Sequence, residues 1–316
     1  MARILVTPRS LTAEPPQVLG RLEHAGHELV FCRPGQMPSE AELIELIAEI
    51  DGWLAGVEPV SPAVVAAAER LRIISRNGSG IDNLPLGHLE ERGIAVARAM
   101  AANAAGVAEL AVALALAACR HLPQVAAGVR AGEWPRPKGR EIDGAVVGIV
   151  GMGAIGRRVA RTMLAMGATV LAVDPFRPAL GALAADVAFV ELDELLPRAD
   201  IVSLHCPMPA DGRPMIDGAA LARMKGDAIL INTARAQLVE EEALLQALDR
   251  GALATYATDV FAVEPPSAGG LAAHPRVIAT SHIGGLTDAS VHRATEAAVD
   301  NLLAHLADGA ERRATA

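Results

Sequence analysis

The sequence predicts an α/β protein built as two doubly wound parallel sheets. Three observations carry that prediction. Short apolar runs alternate with stretches of helical periodicity, the pattern of parallel strands joined by crossover helices. The alternation stops near residue 98 and restarts near residue 144, with a long alanine-rich stretch between. The length of 316 residues suits two domains, and a hydrophobic content of 52% suffices for two cores.

In the first series, residues 3–7 read as a strand and helical pattern follows to residue 25. Residues 27–32 read as the second strand, 40–50 as a helix and 51–55 as the third strand. Residues 62–71 read as a helix, because Ser61 can cap its N-terminus and Pro62 suits its first position. Residues 73–76 and 94–97 complete a small α/β domain.

Residues 101–121 read as one long helix ended by Pro123. Apolar residues occupy most of its faces, so it should be buried nearly all round, at a domain or subunit interface. Residues 129–140, with Trp134, Pro135 and Pro137, read as an irregular connection. In the second series strands are expected at 146–150, 169–173, 200–204, 228–231, 254–258 and 277–279. Residues 301–306 belong to a closing helix, and 310–316 should fray.

Composition excludes several functions. A formal net charge of −9 argues against nucleic acid or an anionic membrane as the main partner. Lys138 and Lys225 are the only lysines, which reads as composition bias. Cys32, Cys119 and Cys206 are odd in number and far apart, which suggests free thiols in a reducing cytoplasm and no metal cluster. No signal peptide is evident, and the most apolar segment, 110–119, is too short to span a bilayer.

The central motif lies at 145–174. An apolar strand runs into Gly151-Met152-Gly153-Ala154-Ile155-Gly156, a helix follows, and a second strand ends in Asp174. Gly151 permits the tight turn, Gly153 leaves room for a pyrophosphate, and Gly156 lets helix and strand approach. The helix N-terminus offers unpaired N–H groups to phosphate. Asp174 is placed to accept from the adenosine ribose hydroxyls and to repel a 2′-phosphate, so the reading is NAD rather than NADP. Arg177, close behind, weakens that preference slightly.

Five further stretches follow strands, where open α/β sheets bind ligands. The loop Asn77-Gly78-Ser79-Gly80 can converge its N–H groups on an anion such as a carboxylate. His205, before Cys206 and Pro207, is either a ligand at the cofactor edge or a satisfied histidine, and nothing in the sequence activates Cys206 as a nucleophile. Arg235, after Thr233 and Ala234, suits a bidentate clamp on a carboxylate. Beyond the next two strands lie Asp259 and Glu264, then His282. A Glu beside a His can fix the imidazole tautomer and favour its charged form.

Together these stretches resemble the D-isomer-specific 2-hydroxyacid dehydrogenase family over nearly the whole chain. The matching text comprises residues 76–83, 103–123, 144–156, 204–207, 232–235, 259–266 and 281–285, in order and spacing. The similarity is to the phosphoglycerate dehydrogenase-like branch, without its regulatory domain. It implies a Rossmann NAD-binding domain, 99–285, inserted in a flavodoxin-like substrate domain, 1–98 with 286–316.

It implies that Asn77, Gly78, Ser79 and Gly80 bind the substrate carboxylate and that Arg235 binds carboxylate and carbonyl. It implies that Glu264 orients His282, which exchanges a proton with the substrate oxygen. The cofactor ligands implied are Val107, Gly151, Gly153, Ala154, Ile155, Gly156, Asp174, His205, Cys206, Pro207, Thr233, Ala234, Arg235, Asp259, His282 and Gly284, with no metal. It also implies a homodimer formed through the 103–121 helix.

Ala236 and Gly106 depart from the family's usual Gly and Ser or Thr. The expected activity is interconversion of a small 2-oxo acid and its D-2-hydroxy acid. An NAD-sensing, corepressor-like binding protein on the same scaffold is the alternative.

Overall fold

The computed structural model describes residues 1–314. The chain divides into two compact units, Met1–Asn103 together with the segment from Leu286 onward, and Ala104–Gly285. The first boundary falls five residues beyond the expected 98/99 position, at 103/104. Ala99 and Ala102 are buried against Ala294, which keeps that stretch with the first unit.

The first unit holds strands β1 (Arg3–Val6), β2 (Glu28–Phe31), β3 (Gly52–Ala55), β4 (Ile73–Arg76) and β5 (Ala95–Arg98). They pair in the order β2-β1-β3-β4-β5, all parallel. The direction of winding reverses between β1 and β3. Helices α1 (Arg9–Ala13), α2 (Gly20–His24), α3 (Glu40–Ile47), α4 (Pro62–Ala67) and α5 (Leu86–Glu91) cover the sheet. The helical pattern expected up to residue 25 is two short helices, because Pro15 and Pro16 lie between them. Ser39 and Ser61 accept from the N–H groups of Glu42 and Val64, capping α3 and α4.

In the second unit α6 (Ala104–Cys119) and α7 (Leu122–Arg130) precede the sheet. Pro123 does not end the long helix. It sits in the first turn of α7, where a missing N–H breaks no helical bond. The break is made by His121, which takes a left-handed backbone with φ 52°.

The strands are β6 (Val146–Val150), β7 (Thr169–Val173), β8 (Val187–Phe189), β9 (Ile201–Leu204), β10 (Ile229–Asn232), β11 (Thr255–Thr258) and β12 (Val277–Ala279). Between them run α8 (Ala154–Ala165), α9 (Leu192–Leu195), α10 (Gly218–Arg223), α11 (Glu241–Asp249) and α12 (Gly270–Ala273). The sheet order is β12-β11-β10-β9-β6-β7-β8, all parallel. β8 is an edge strand of three residues that its sequence does not announce. Strands β9, β10 and β11 are buried along their whole length, as a sheet covered on both faces requires.

The chain closes with α13 (Asp288–Ala314), which returns to the first unit through Ala298, Val299 and Leu302. Its helical backbone continues through most of the stretch expected to fray, and residues 315–316 lie outside the described residues. α6 is not buried all round. Ala111, Leu114 and Ala115 face the sheet, Glu109 and Ala113 are exposed, and Val112 and Leu116 are half-buried.

Among the described residues no single helix is long and apolar enough to cross a membrane, although α6 and α7, bent by 65° at their junction, would be so together. No group of three or more His, Cys, Asp or Glu among them is placed to hold a metal ion.

Candidate active site

Sheet register decides where the chemistry of the second unit collects. Val150 is level with Val173 and with Leu204. Leu204 is level with Asn232, Asn232 with Thr258, and Thr258 with Ala279. The next residue of each strand therefore emerges along one edge: Gly151, Asp174, His205, Thr233, Asp259 and Thr280. This is the carboxyl end of the sheet, and the winding reverses there between β6 and β9, the ligand-binding position of such folds.

The glycine loop fits a dinucleotide. Gly151 has φ 97°, and a Cβ there would lie 2.6 Å from the His205 carbonyl oxygen. A Cβ on Gly156 would lie 1.9 Å from the Gly151 oxygen, so only glycine lets α8 start against the turn. Gly153, by contrast, has nothing within 4 Å of its Cβ position, which leaves open space over the loop. Gly153 also caps α8 without any side-chain bond, so the helix N-terminus keeps N–H groups for an anion.

Asp174 closes one side of that loop. Its Oδ2 accepts from Met152 N–H at 2.8 Å and its Oδ1 from Phe176 N–H at 2.9 Å. On the other side two buried polar atoms, His205 Nδ1 and Thr233 Oγ1, have no hydrogen-bond partner within the protein. Buried polar atoms are normally paired, so these two mark positions for a ligand's polar groups. The other His205 nitrogen, Nε2, bonds Ser203 Oγ at 2.8 Å. Burial pushes the His205 imidazole down to about 3, so the ring is neutral at pH 7. Burial, with the Asp174 charge adding to it, pushes the Cys206 thiol up to about 11, which leaves it protonated and a poor nucleophile.

The turn after β10 presents Arg235. Asn232 builds it from inside: Nδ2 donates to the Arg235 oxygen at 2.8 Å and Oδ1 accepts from Ala234 N–H at 3.0 Å. The buried Tyr256 hydroxyl holds the same amide at 3.2 Å. Arg235 Nη1 donates to the Ala234 oxygen at 2.7 Å. Ala236, where the family usually has Gly, opens a single 3-10 turn, Ala236–Leu238, with an ordinary backbone.

His282 and Glu264 meet. Nδ1 of the imidazole lies 2.8 Å from Glu264 Oε2, while Glu264 Oε1 accepts from Phe261 N–H at 3.1 Å. Both side chains remain partly exposed, His282 at 52% and Glu264 at 38%, so the imidazole is open to a ligand. The loop carrying His282 is stapled by Asp259, which is 2% exposed. Asp259 Oδ1 accepts from Thr280 Oγ at 2.6 Å and Ile283 N–H at 2.9 Å, and Oδ2 accepts from Gly284 N–H at 2.8 Å. Val107 of α6 packs against Gly284, with 3.4 Å to its Cβ position.

Sequence reasoning named Asp259 and Gly284 without seeing that they bond each other. It missed Asn232 and Thr280 as supports. Their signal was position alone, since each sits at or just beyond a strand end.

Asn77, Gly78, Ser79 and Gly80 lie in the first unit, directly after β4. Asn77 N–H donates to the Ala55 oxygen at 2.9 Å and Thr295 Oγ to Asn77 Oδ1 at 3.4 Å. Gly78 has φ 155°, and a Cβ there would press on Arg76 Nη1 at 3.1 Å. Arg76, itself buried, donates to the Asn77 oxygen at 3.0 Å and so braces the loop from below. Downstream, Asn83 Nδ2 donates to the backbone oxygen of Glu58 at 2.6 Å. The buried Glu58 carboxylate accepts from the Thr7 hydroxyl and from Gly56 N–H. The loops after β1, β3 and β4 are thus tied together.

Comparison with known proteins agrees with this geometry. Residues 112–284 match the family model of the D-isomer specific 2-hydroxyacid dehydrogenase, NAD binding domain. The chain is 38% identical over 255 residues to the D-3-phosphoglycerate dehydrogenase of Methanocaldococcus jannaschii, covering 79% of this chain and 48% of that one. It thus spans about half the length of that relative. It is 36% identical over 252 residues to the hydroxypyruvate reductase of Thermotoga maritima, covering 78% of this chain and 81% of that protein. The crystal structure of the TT0316 protein from Thermus thermophilus superposes with a TM-score of 0.87 at 35% identity, covering 97% of both chains.

Proposed function

The chain belongs to the D-isomer-specific 2-hydroxyacid dehydrogenase family and carries its NAD-binding domain, and on that premise we propose that it interconverts a small 2-oxo acid and its D-2-hydroxy acid with NAD. The observation that carries this reading is the 2.8 Å bond between His282 and Glu264, beside the edge where the cofactor loop emerges. When bound, the nicotinamide supplies or accepts the hydride. The residues of the chain do the rest.

With Nδ1 held by Glu264, His282 presents Nε2 to the substrate oxygen. It gives that oxygen a proton as the 2-oxo acid is reduced and takes the proton back in the oxidative direction. Glu264 accepts at Nδ1 and so fixes the orientation of the ring. Arg235 binds carboxylate and carbonyl through its planar fork. The N–H groups around Asn77, Gly78, Ser79 and Gly80 hold the carboxylate.

Gly151, Gly153, Ala154, Ile155 and Gly156 take the pyrophosphate, and Asp174 the adenosine ribose. The nicotinamide end falls to Val107, His205, Cys206, Pro207, Thr233, Ala234, Arg235, Asp259, His282 and Gly284, in several cases through backbone groups. The protein acts in the cytoplasm as a homodimer, through the outward face of α6.

The test is a screen of NADH oxidation over a panel of 2-oxo acids that includes hydroxypyruvate. A chain that binds NADH tightly yet turns over no 2-oxo acid would be a sensor and not an enzyme.

A further inference from the structure

Beyond Asp174, the peptide turns back on itself. Arg177 N–H donates to the Asp174 oxygen at 3.1 Å, which closes the turn Asp174-Pro175-Phe176-Arg177. Asp174 Oδ1 accepts from Phe176 N–H inside that turn. Proline at the second position and an aspartate bonding two residues ahead are both turn-forming devices. Arg177 takes a left-handed backbone, φ 39°, at the end of it. The turn therefore fixes the backbone of one arginine three residues from the carboxylate assigned to the ribose. Its guanidinium is already engaged, since Nη2 lies 2.9 Å from Glu191 Oε1, at the residue that precedes α9. The turn and its partner thus bring two carboxylates, Asp174 and Glu191, to one guanidinium side chain, which pairs with Glu191. Arg157 Nε donates to the oxygen of Met152 at 2.8 Å.

We propose that Glu191 is a cofactor-specificity residue: it pairs with Arg177 and so withholds the guanidinium from a 2′-phosphate. Dinucleotide folds that accept NADP place an arginine near this strand end, whereas an acid there selects NAD. This chain has both residues. Asp174 repels the phosphate directly, and Glu191 occupies the cation that would otherwise attract it. The Arg177–Glu191 pair is exposed, 57% and 81%, so it is weak and exchangeable. A dianionic phosphate competes well for such an arginine once the opposing charges are removed. The proposal rests on the reading of the second unit as a nicotinamide dinucleotide domain.

The experiment measures Kd for NADH and NADPH by quenching of intrinsic fluorescence, or by calorimetry, without substrate. Wild type should bind NADH and discriminate against NADPH. Glu191→Gln should raise NADPH affinity about twofold to fivefold, the worth of an exposed ion pair, and leave NADH unchanged. In an Asp174→Ser background the same substitution should give at least that gain on top of the gain from Asp174→Ser. Adding Arg177→Gln should cancel the part contributed by Glu191→Gln. Glu191 and Arg177 are both exposed, so their substitutions do not test folding.

If NADPH affinity ignores Glu191→Gln in both backgrounds, the assignment of Glu191 is wrong. It is equally wrong if the gain survives Arg177→Gln. Failure of wild type to bind NADH at all would instead bring down the dinucleotide reading, and this inference with it.

Discussion

His282 holds a left-handed backbone, φ 57°, while its Nδ1 stands 2.8 Å from Glu264 Oε2. A residue with a Cβ resists that backbone by about 1–2 kcal/mol, so something must hold it. Asp259 does, by taking the N–H groups of Ile283 and Gly284 just beyond the histidine. The imidazole is aimed by one carboxylate and its backbone is held by another. Strain of this kind gathers at functional sites, where a side chain must point in one direction.

His282→Asn should therefore lower kcat/KM for 2-oxo acid reduction by about 10²–10⁴-fold at every pH, the usual worth of a positioned proton donor. Glu264→Gln keeps the shape without the charge and should cost less. NADH affinity, read by fluorescence, should stay near wild type in both. Full activity in His282→Asn would mean that another group carries the proton. His205 is a poor candidate, because burial keeps it neutral at pH 7.

Arg235→Lys retains the charge and loses the planar fork. Activity on the 2-oxo acid should fall by at least about tenfold, equivalent to about 1.4 kcal/mol. Collapse of NADH binding with the chemistry intact would leave Arg235 a cofactor contact and remove it from the substrate.

Asp259→Asn replaces an acceptor of three bonds by an amide that can offer only one oxygen. At least one N–H or hydroxyl among Thr280, Ile283 and Gly284 loses its partner. A loss of about 1.5–3 kcal/mol is expected in urea unfolding, the range for one bond to a charged group. kcat should drop as well, since the His282 backbone is released. A variant as stable and as active as wild type contradicts the stapling role.

Asp200 gives a pH prediction. Burial alone would raise its carboxyl. The hydrogen bonds from Lys225 and Val146 N–H, with the charges of Lys225 and Arg140, outweigh burial and hold it below the usual range. A lowered folded value means stability that is present above the unfolded value of about 4 and is lost as pH falls through the folded one. Asp200→Asn should therefore be less stable than wild type at pH 7, and the difference should shrink below about pH 4. A gap that stays constant across that range would exclude the linkage.

The homodimer is tested at Ala113. Leu114, the more obvious apolar choice on α6, is 3% exposed and lies in the core of the second unit, so a charge there would test folding. Ala113 is exposed, in a groove with Val112, Leu116, Arg158 and Arg161. Light scattering should report a dimer for wild type at micromolar concentration and a monomer for Ala113→Arg. A monomeric wild type removes the proposal.

Much of this protein was legible in one dimension. Two parallel α/β series follow from apolar runs alternating with helical periodicity. The glycine loop and Asp174 follow from spacing, because a β-α-β unit fixes the distance between its turn and the next strand end. Arg235, Glu264 and His282 were recognisable as chemically suitable residues after strands.

Tertiary structure alone decided how they are held. The parallel register sets Gly151, Asp174, His205, Thr233 and Asp259 level on one edge, although they are scattered over more than a hundred residues of sequence. It revealed Asp259 as the staple of the His282 loop and Glu191 as the partner of Arg177, pairings that no local pattern encodes. It turned the all-round apolar α6 into a helix with one buried and one half-exposed face, and it moved Pro123 into the first turn of α7. The reason is physical. Periodicity and turn chemistry depend on neighbours in the chain, whereas a hydrogen bond between side chains far apart in sequence exists only once the sheet has brought its strand ends together.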